Sequence, residues 1–157
     1  MSRSSYQPDY YDEIRQISDP YERLIKVGDY VIAKYIAKDY EVLTTVERDI
    51  LHMSLLVGEV NNGGFDQYFF NTGGDYAVET VETLERIGSS EALALLRQAI
   101  GAFGANPLST DKATRYSQIK NIPKTVVDLW NELDQQFFRL QEPLWQLVLN
   151  YFEEQWQ

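Results

Sequence analysis

Chemistry in this chain has few side chains to work with. Cysteine is absent, and histidine occurs once, at His52. That excludes a thiolate metal site, a cysteine nucleophile and any centre needing two imidazoles. One constellation resembles acid–base machinery: Arg48, His52 and Glu59 fall on one stripe of a single predicted helix, where they could be partly buried and paired with one another. A histidine in a mostly apolar helix is more often a packing residue than a proton carrier. No serine elbow, phosphate-binding glycine loop or metal-ligand spacing accompanies it. The sequence therefore reads as non-enzymatic, with no catalytic residue, no cofactor and no metal.

A second group is polar without being titratable. The segment EVNNGGFDQYFFNTGG, residues 59–74, brings Asn61, Asn62, Gln67 and Asn71 close to glycines on both sides. Buried amides must be paired within the fold or meet a ligand. Asparagine and glycine tolerate left-handed backbone at a helix C-terminus. Asn61–Asn62–Gly63–Gly64 should therefore end one helix, and Asn71–Thr72–Gly73–Gly74 the next, by the same device. A short helix, FDQYFF, is slung between the two corners and anchored by Phe65, Tyr68 and Phe69. Asp75 is placed to cap the helix beyond the second corner, and Glu59 to accept bonds from the amides. The segment reads as chiefly a corner-fixing network, with a ligand cleft as the alternative.

The elements that must position these residues read as helix after helix. Pro8 and Asp9 open a short helix through Ile17. Asp19, Pro20 and Glu22 start a second. Its apolar stripe is Leu24, Gly28, Val31 and Tyr35, flanked by Tyr21, Ile25 and Ile32. Thr44 and Glu47 form a capping box ahead of a helix carrying Val46, Ile50, Met53, Val57 and Val60, with Leu51 and Leu55 opposite. Apolar nearly all round, it should be central and buried. Amphipathic helices follow over 75–87 and from Ser89 or Ser90, then a short one near 111–118. Thr125 and Asp128 open the next helix, and Pro143 the last. No run alternates with a period of two, and no repeat or linker divides the chain. The expected fold is all-α: a single compact domain of about seven or eight helices around a central buried helix. Residues 1–18 would form an N-terminal arm and short helix, and 19–157 the helical domain.

Acidic residues outnumber basic ones 24 to 14, for a net charge of −10. This disfavours direct contact with nucleic acid, which needs a cationic face, and permits a basic partner. No run approaches the roughly 18 apolar residues of a membrane span. The N-terminus lacks the apolar centre of a signal peptide, so a cytoplasmic address is expected.

One pattern goes further. Glu59, Asn62, Gly63, Gly64, Phe65, Gln67, Tyr68, Phe69, Asn71 and Gly73, followed by an amphipathic helix ending at Ile87–Gly88, resemble the signature of a bacterial helical domain family of mostly unknown function. The late stretch LDQQFFRLQEPLWQLVLNYFEE is similar to its closing helices. The best-described member of that family is a DNA mimic protein, acidic, dimeric and all-helical. It presents carboxylates where a duplex presents phosphates, and so occupies the DNA-binding face of a transcription regulator. The resemblance implies a protein-interaction domain whose partner is a basic DNA-binding regulator. It also leaves room for a homodimer, to which Trp145 and Trp156, off the main apolar stripe of the last helix, could contribute. The family motif is not itself the acidic surface. The outward carboxylates expected to build one are Asp12 and Glu13, Glu79 and Glu82, Asp128 and Glu132, and Glu153 and Glu154, with Arg86 and Arg139 interrupting two of these faces. An immunity or regulatory protein aimed at another basic protein would use the same kind of surface. A small-ligand site or enzyme at the amide-rich turn is the third reading.

Overall fold

The computed structural model describes residues 10–155; Pro8, Asp9 and Trp156 lie outside the described residues. Within them the chain forms eight α-helices and no strand, as an all-α sequence should. They are α1 (Tyr10–Arg15), α2 (Pro20–Lys38), α3 (Thr45–Phe70), α4 (Ala77–Ile87), α5 (Ser90–Gly101), α6 (Lys112–Lys120), α7 (Lys124–Phe138) and α8 (Leu144–Gln155). Short 3-10 turns, Tyr40–Val42 and Thr72–Tyr76, precede and follow α3. The described chain divides into two compact units. One holds the residues up to Leu51 and those from Val148 onward; the other is His52–Leu147. α3 and α8 run through both.

In the first unit, α2 begins as its sequence predicts. Asp19 accepts the Glu22 N–H at 2.7 Å, which satisfies one orphan donor of the first turn, and Pro20 stands where no N–H is needed. The buried face is not the expected one. Val27, Tyr30, Val31 and Lys34 are buried, whereas Tyr21, Ile25, Ile32 and Ile36 are exposed. The cause is a charge drawn inward. Lys34 Nζ donates to both Glu47 oxygens, at 2.9 and 2.8 Å, and the Tyr11 hydroxyl donates to the same carboxylate at 2.6 Å. A stripe chosen from apolar residues alone turns Lys34 outward and rotates the helix away from its true orientation.

Glu47 has a second duty. The capping box forms as expected, with Thr44 N–H donating to Glu47 at 2.8 Å and Glu47 N–H to the Thr44 hydroxyl at 3.2 Å. One carboxylate therefore caps α3 and neutralises a buried ammonium. Burial pushes the Glu47 carboxyl up, but the bonds from Lys34, Tyr11 and Thr44, with the charge of Lys34, outweigh it and hold the group below its ordinary range. Arg23 ties α2 to α8, donating to Glu153 at 2.9 and 2.7 Å and to the Ile17 carbonyl at 2.7 Å.

In the second unit, Phe69 is an aromatic hub. Its ring meets Phe103 edge-on and Trp130 at a tilt, both with centroids 5.2 Å away. Trp130 gives its indole N–H to the Ala99 carbonyl at 3.0 Å, so its one polar atom is satisfied in the core. Leu84, Ala92, Leu96 and Leu133 are buried in the same unit. Gly88, at φ 81°, ends α4 in the left-handed conformation that its position predicts. The start of α5 differs from expectation. Ser89 stands at the N-cap, but its hydroxyl makes no capping bond. Glu142, from the α7–α8 connection, caps instead, accepting the Ala92 N–H at 2.9 Å and the Ser89 hydroxyl. Glu91 answers by accepting the Gln141 N–H at 3.1 Å. α7 also opens earlier than expected, at Lys124 behind Pro123, and Asp128 pairs with Lys124 at 2.6 Å rather than marking the start.

The Lys34–Glu47 pair makes stability depend on pH with a definite sign. Because the folded pKa of Glu47 lies below the ordinary 4.5, the unfolded chain binds the proton more readily. The contribution is complete above that ordinary value and is lost as pH falls through the folded one. Urea unfolding followed between neutral and acid pH should show this slope, and Glu47→Gln should flatten it. Glu47→Gln should also cost about 3–5 kcal/mol at pH 7 by stripping a buried ammonium of its counter-charge. Lys34→Met with Glu47→Leu should cost clearly less than that single change.

Candidate functional site

The motif of residues 59–74 is built around one carboxylate. Glu59 Oε2 accepts Gln67 Nε2 at 2.6 Å and Asn71 Nδ2 at 2.9 Å. Two side-chain amides are thus satisfied inside the turn. Asn61 and Asn62 are exposed. Gly63 is required because a Cβ there would collide with the Gln67 side chain.

The first corner is sharper than predicted. The helix is not ended across Asn61–Gly64. It turns at one residue, Gly64, whose φ of 78° and ψ of −175° favour glycine. A Cβ at Gly64 would also come within 2.7 Å of Asp134 Cγ. Asp134 on α7 lies this close because its Oδ1 accepts the Phe65 N–H at 2.8 Å, acting as the cap of the Phe65–Phe70 turns. Burial raises the Asp134 pKa, the Phe65 N–H opposes this, and the neighbouring charge of Asp66 adds to the rise, leaving the carboxyl above its ordinary range.

The second corner works by a different device. The glycines with positive φ among the described residues are Gly64, Gly88 and Gly104, so Gly73 and Gly74 are not left-handed. They are glycine for space. A Cβ on Gly73 would strike the Tyr68 ring, and one on Gly74 the Phe69 carbonyl and the Arg115 guanidinium. Asp75 does not cap α4; it pairs with Arg115. Arg115, on α6, is fully buried. Its Nε donates to the Phe69 carbonyl at 2.7 Å and its Nη1 to the Ser109 carbonyl at 3.0 Å. It satisfies a carbonyl that the end of α3 leaves without a helical partner. Sequence reasoning passes over this residue, because its partners are mostly backbone atoms and its own helix has almost no apolar face. Phe65, Tyr68 and Phe69 are wholly buried, as anchors should be, and burial drives the Tyr68 phenol pKa upward.

Arg48, His52 and Glu59 do not join. His52 is buried with Nδ1 2.8 Å from the Thr83 hydroxyl, Arg48 reaches Glu41 at 3.4 Å and lies over the Tyr40 ring, and Glu59 holds the amides. Among the described residues no group of histidine and carboxylate side chains could hold a metal ion. None of the described helices is long and apolar enough to cross a membrane.

The candidate acidic residues meet different fates. Asp12, Glu13, Glu82, Asp128, Glu132 and Glu154 are exposed. Glu79, expected to face outward, is half-buried with Oε2 shielded from solvent. Glu153 is engaged by Arg23, and Asp128 by Lys124. In the second unit Glu132 lines an open depression of about 530 Å³ with Glu91, Gln135, Gln136 and Arg139, so a cation sits beside the carboxylates there.

An all-helical chain with a carboxylate-fixed Asn–Gly–Gly–Phe corner and outward acidic residues is a helical scaffold of a recognisable kind. Residues 41–155 match the family model described as DMP19-like protein, and the chain belongs to that family. No curated protein and no solved structure matches it.

The corner gives two checks. Gly64→Ala should destabilise by at least about 2 kcal/mol, from left-handed strain and collision with Asp134. Asp134→Ala should cost about 1 kcal/mol through loss of the Phe65 cap. Asp134→Asn retains an acceptor without a buried charge and should be close to neutral at pH 7. Thermal melts of the three variants measure all of this. Arg115→Met should be the most damaging single change at the motif, about 3 kcal/mol or more, because it orphans buried carbonyls and Asp75 together.

Proposed function

We propose that this protein is an acidic, non-enzymatic interaction domain that mimics DNA and occupies the DNA-binding face of a basic regulator. Membership of the DMP19-like family, a DNA mimic family, carries this reading. The net charge of −10 and the exposed carboxylates support it. A duplex offers about one charge per 1.7 Å of axis, so a mimic needs closely spaced carboxylates with few cations between them. Asp128 and Glu132 stand one helical turn apart on α7, about 6 Å along the axis, and Glu91 shares the depression that Glu132 lines. Asp12, Glu13, Glu82 and Glu154 are the other available positions. Glu79, Glu153 and Asp128 contribute less, since the first is half-buried and the other two are bound to Arg23 and Lys124. The partner is a cationic protein rather than nucleic acid, the place of action is the cytoplasm, and the working form is a homodimer.

Affinity capture of DNA-binding proteins from a bacterial lysate at low salt, followed by titration of the isolated partner, tests the reading. Binding should be displaced by duplex DNA and weaken steeply with added salt. Glu82→Lys and Glu132→Lys should each lower affinity several-fold, mainly through the association rate, while Glu153→Gln should change it little. A partner that duplex DNA cannot displace would indicate a regulatory or immunity role against another basic protein. If no cationic protein binds at low salt, the reading fails.

A further inference from the structure

α6 departs from the acidic character of the chain. Lys112, Tyr116 and Lys120 follow one another at four-residue steps, so they lie within an arc of about 80°, with the two lysines about 12 Å apart along the axis. Both lysines are exposed, and neither has a carboxylate partner among the described residues. The next lysine, Lys124, differs in being held by Asp128. Tyr116 lies flat against Phe70 at the end of α3, with ring centroids 4.3 Å apart and planes within 11° of parallel. Lys112 Nζ stands over the Tyr116 ring, 5.8 Å from its centroid. Phe70 is 45% exposed, although Phe65, Tyr68 and Phe69 beside it are wholly buried.

The two rings are held in place from behind. Arg115, the residue before Tyr116, is fully buried and donates to the carbonyl of Phe69, the residue before Phe70. That attachment sets Tyr116 and Phe70 face to face without a partner, so little ordering is left to oppose binding. The carboxylates nearby are mostly engaged. Asp111 accepts the Thr114 N–H and hydroxyl at 2.8 and 2.6 Å, and Asp75 pairs with Arg115. Asp66, exposed and one turn before Phe70, borders the aromatic end. The patch thus runs from one carboxylate, across two rings, to two unpaired ammonium groups.

We propose that this face of α6, with Phe70, is a docking surface for an acidic protein segment that carries an aromatic residue among its carboxylates. Charge complementarity selects the partner. The lysines attract carboxylates and repel the cationic protein drawn to the acidic faces. A nucleic acid would meet the repulsion of the rest of a chain of −10 charge, whereas a short acidic segment need span only the two lysines. The exposed Phe70 ring supplies the apolar anchor, on which an aromatic side chain stacks. The surface is opposite in sign to the one that mimicry needs, so either can be present without the other.

An NMR titration of the isotope-labelled full chain with the pentapeptide Glu-Glu-Trp-Glu-Glu tests this. Saturable shifts centred on Phe70, Lys112, Tyr116 and Lys120 are expected, and added salt should weaken the binding several-fold. Replacing the peptide's tryptophan with alanine should weaken it about tenfold or more. Lys112→Gln with Lys120→Gln should do the same while leaving the helical circular dichroism and Tm unchanged, because both positions are exposed. Asp66→Asn should tighten it about twofold by removing the one repulsive charge at the edge. The absence of saturable shifts on α6 overturns the inference. So does binding that the paired glutamines leave unchanged, or an oligothymidylate that shifts the same residues at lower concentration than the peptide.

Discussion

Helix α3 ends where a charged side chain would not ordinarily be tolerated, and Arg115 holds that end together. A fully buried guanidinium is costly unless each of its donors is met. Here the Phe69, Ser109 and Thr110 carbonyls and the Asp75 carboxylate meet them. The same bonds remove a cost on the other side, since a helix C-terminus buried under aromatic rings cannot turn its last carbonyls to water. Gly74 is glycine because the guanidinium fills the space that a Cβ would need. Corner, cation and aromatic core are thus one construction.

That construction is an instance of a wider habit of this fold. Helix ends are closed by residues distant in sequence. Asp134 caps the turns that begin at Phe65 and Glu142 caps α5, while Glu47, a local cap of α3, also reaches back to hold Lys34 of α2. A local cap fixes where a helix starts. A distant cap also fixes which helices are neighbours, because the bond forms only when both segments are in place. For the shorter helices, such as α4 and α6, whose isolated stability is marginal, such bonds tie local order to tertiary order.

This explains what the sequence discloses and what it withholds. Signals confined to a few neighbouring residues are readable: the Asp19–Pro20 start, the Thr44–Glu47 box and the left-handed Gly88 stand where their residue types put them. The aromatic anchors Phe65, Tyr68 and Phe69 are buried as expected, although Phe70 beside them is exposed. Signals carried by distant partners are not readable. The orientation of α2 depends on Glu47, thirteen residues from Lys34, and the capping of α5 on a carboxylate about fifty residues away. The glycines of the second corner resemble a backbone device because Asn–Thr–Gly–Gly is a turn sequence. Their true reason is the volume of Tyr68 and Arg115, which no local pattern contains.

The division of carboxylates obeys the same logic and bears on function. A net charge of −10 counts every acidic residue equally, but the fold does not. Glu47, Glu59, Asp75, Asp134, Glu142 and Glu153 are bound to amides, hydroxyls or cations of the chain itself. Charge committed in this way is partly neutralised and fixed in place, so it contributes little to the field that an approaching cationic protein meets. The field arises from the remainder, exposed carboxylates such as Glu82 on α4, Glu91 on α5 and Glu132 on α7 among them. These positions make no demand on the core, so they can change while the Asn–Gly–Gly–Phe corner stays the same. A motif can therefore identify the scaffold without identifying the partner, because the residues that make the fold possible and those that meet a partner are different sets of carboxylates.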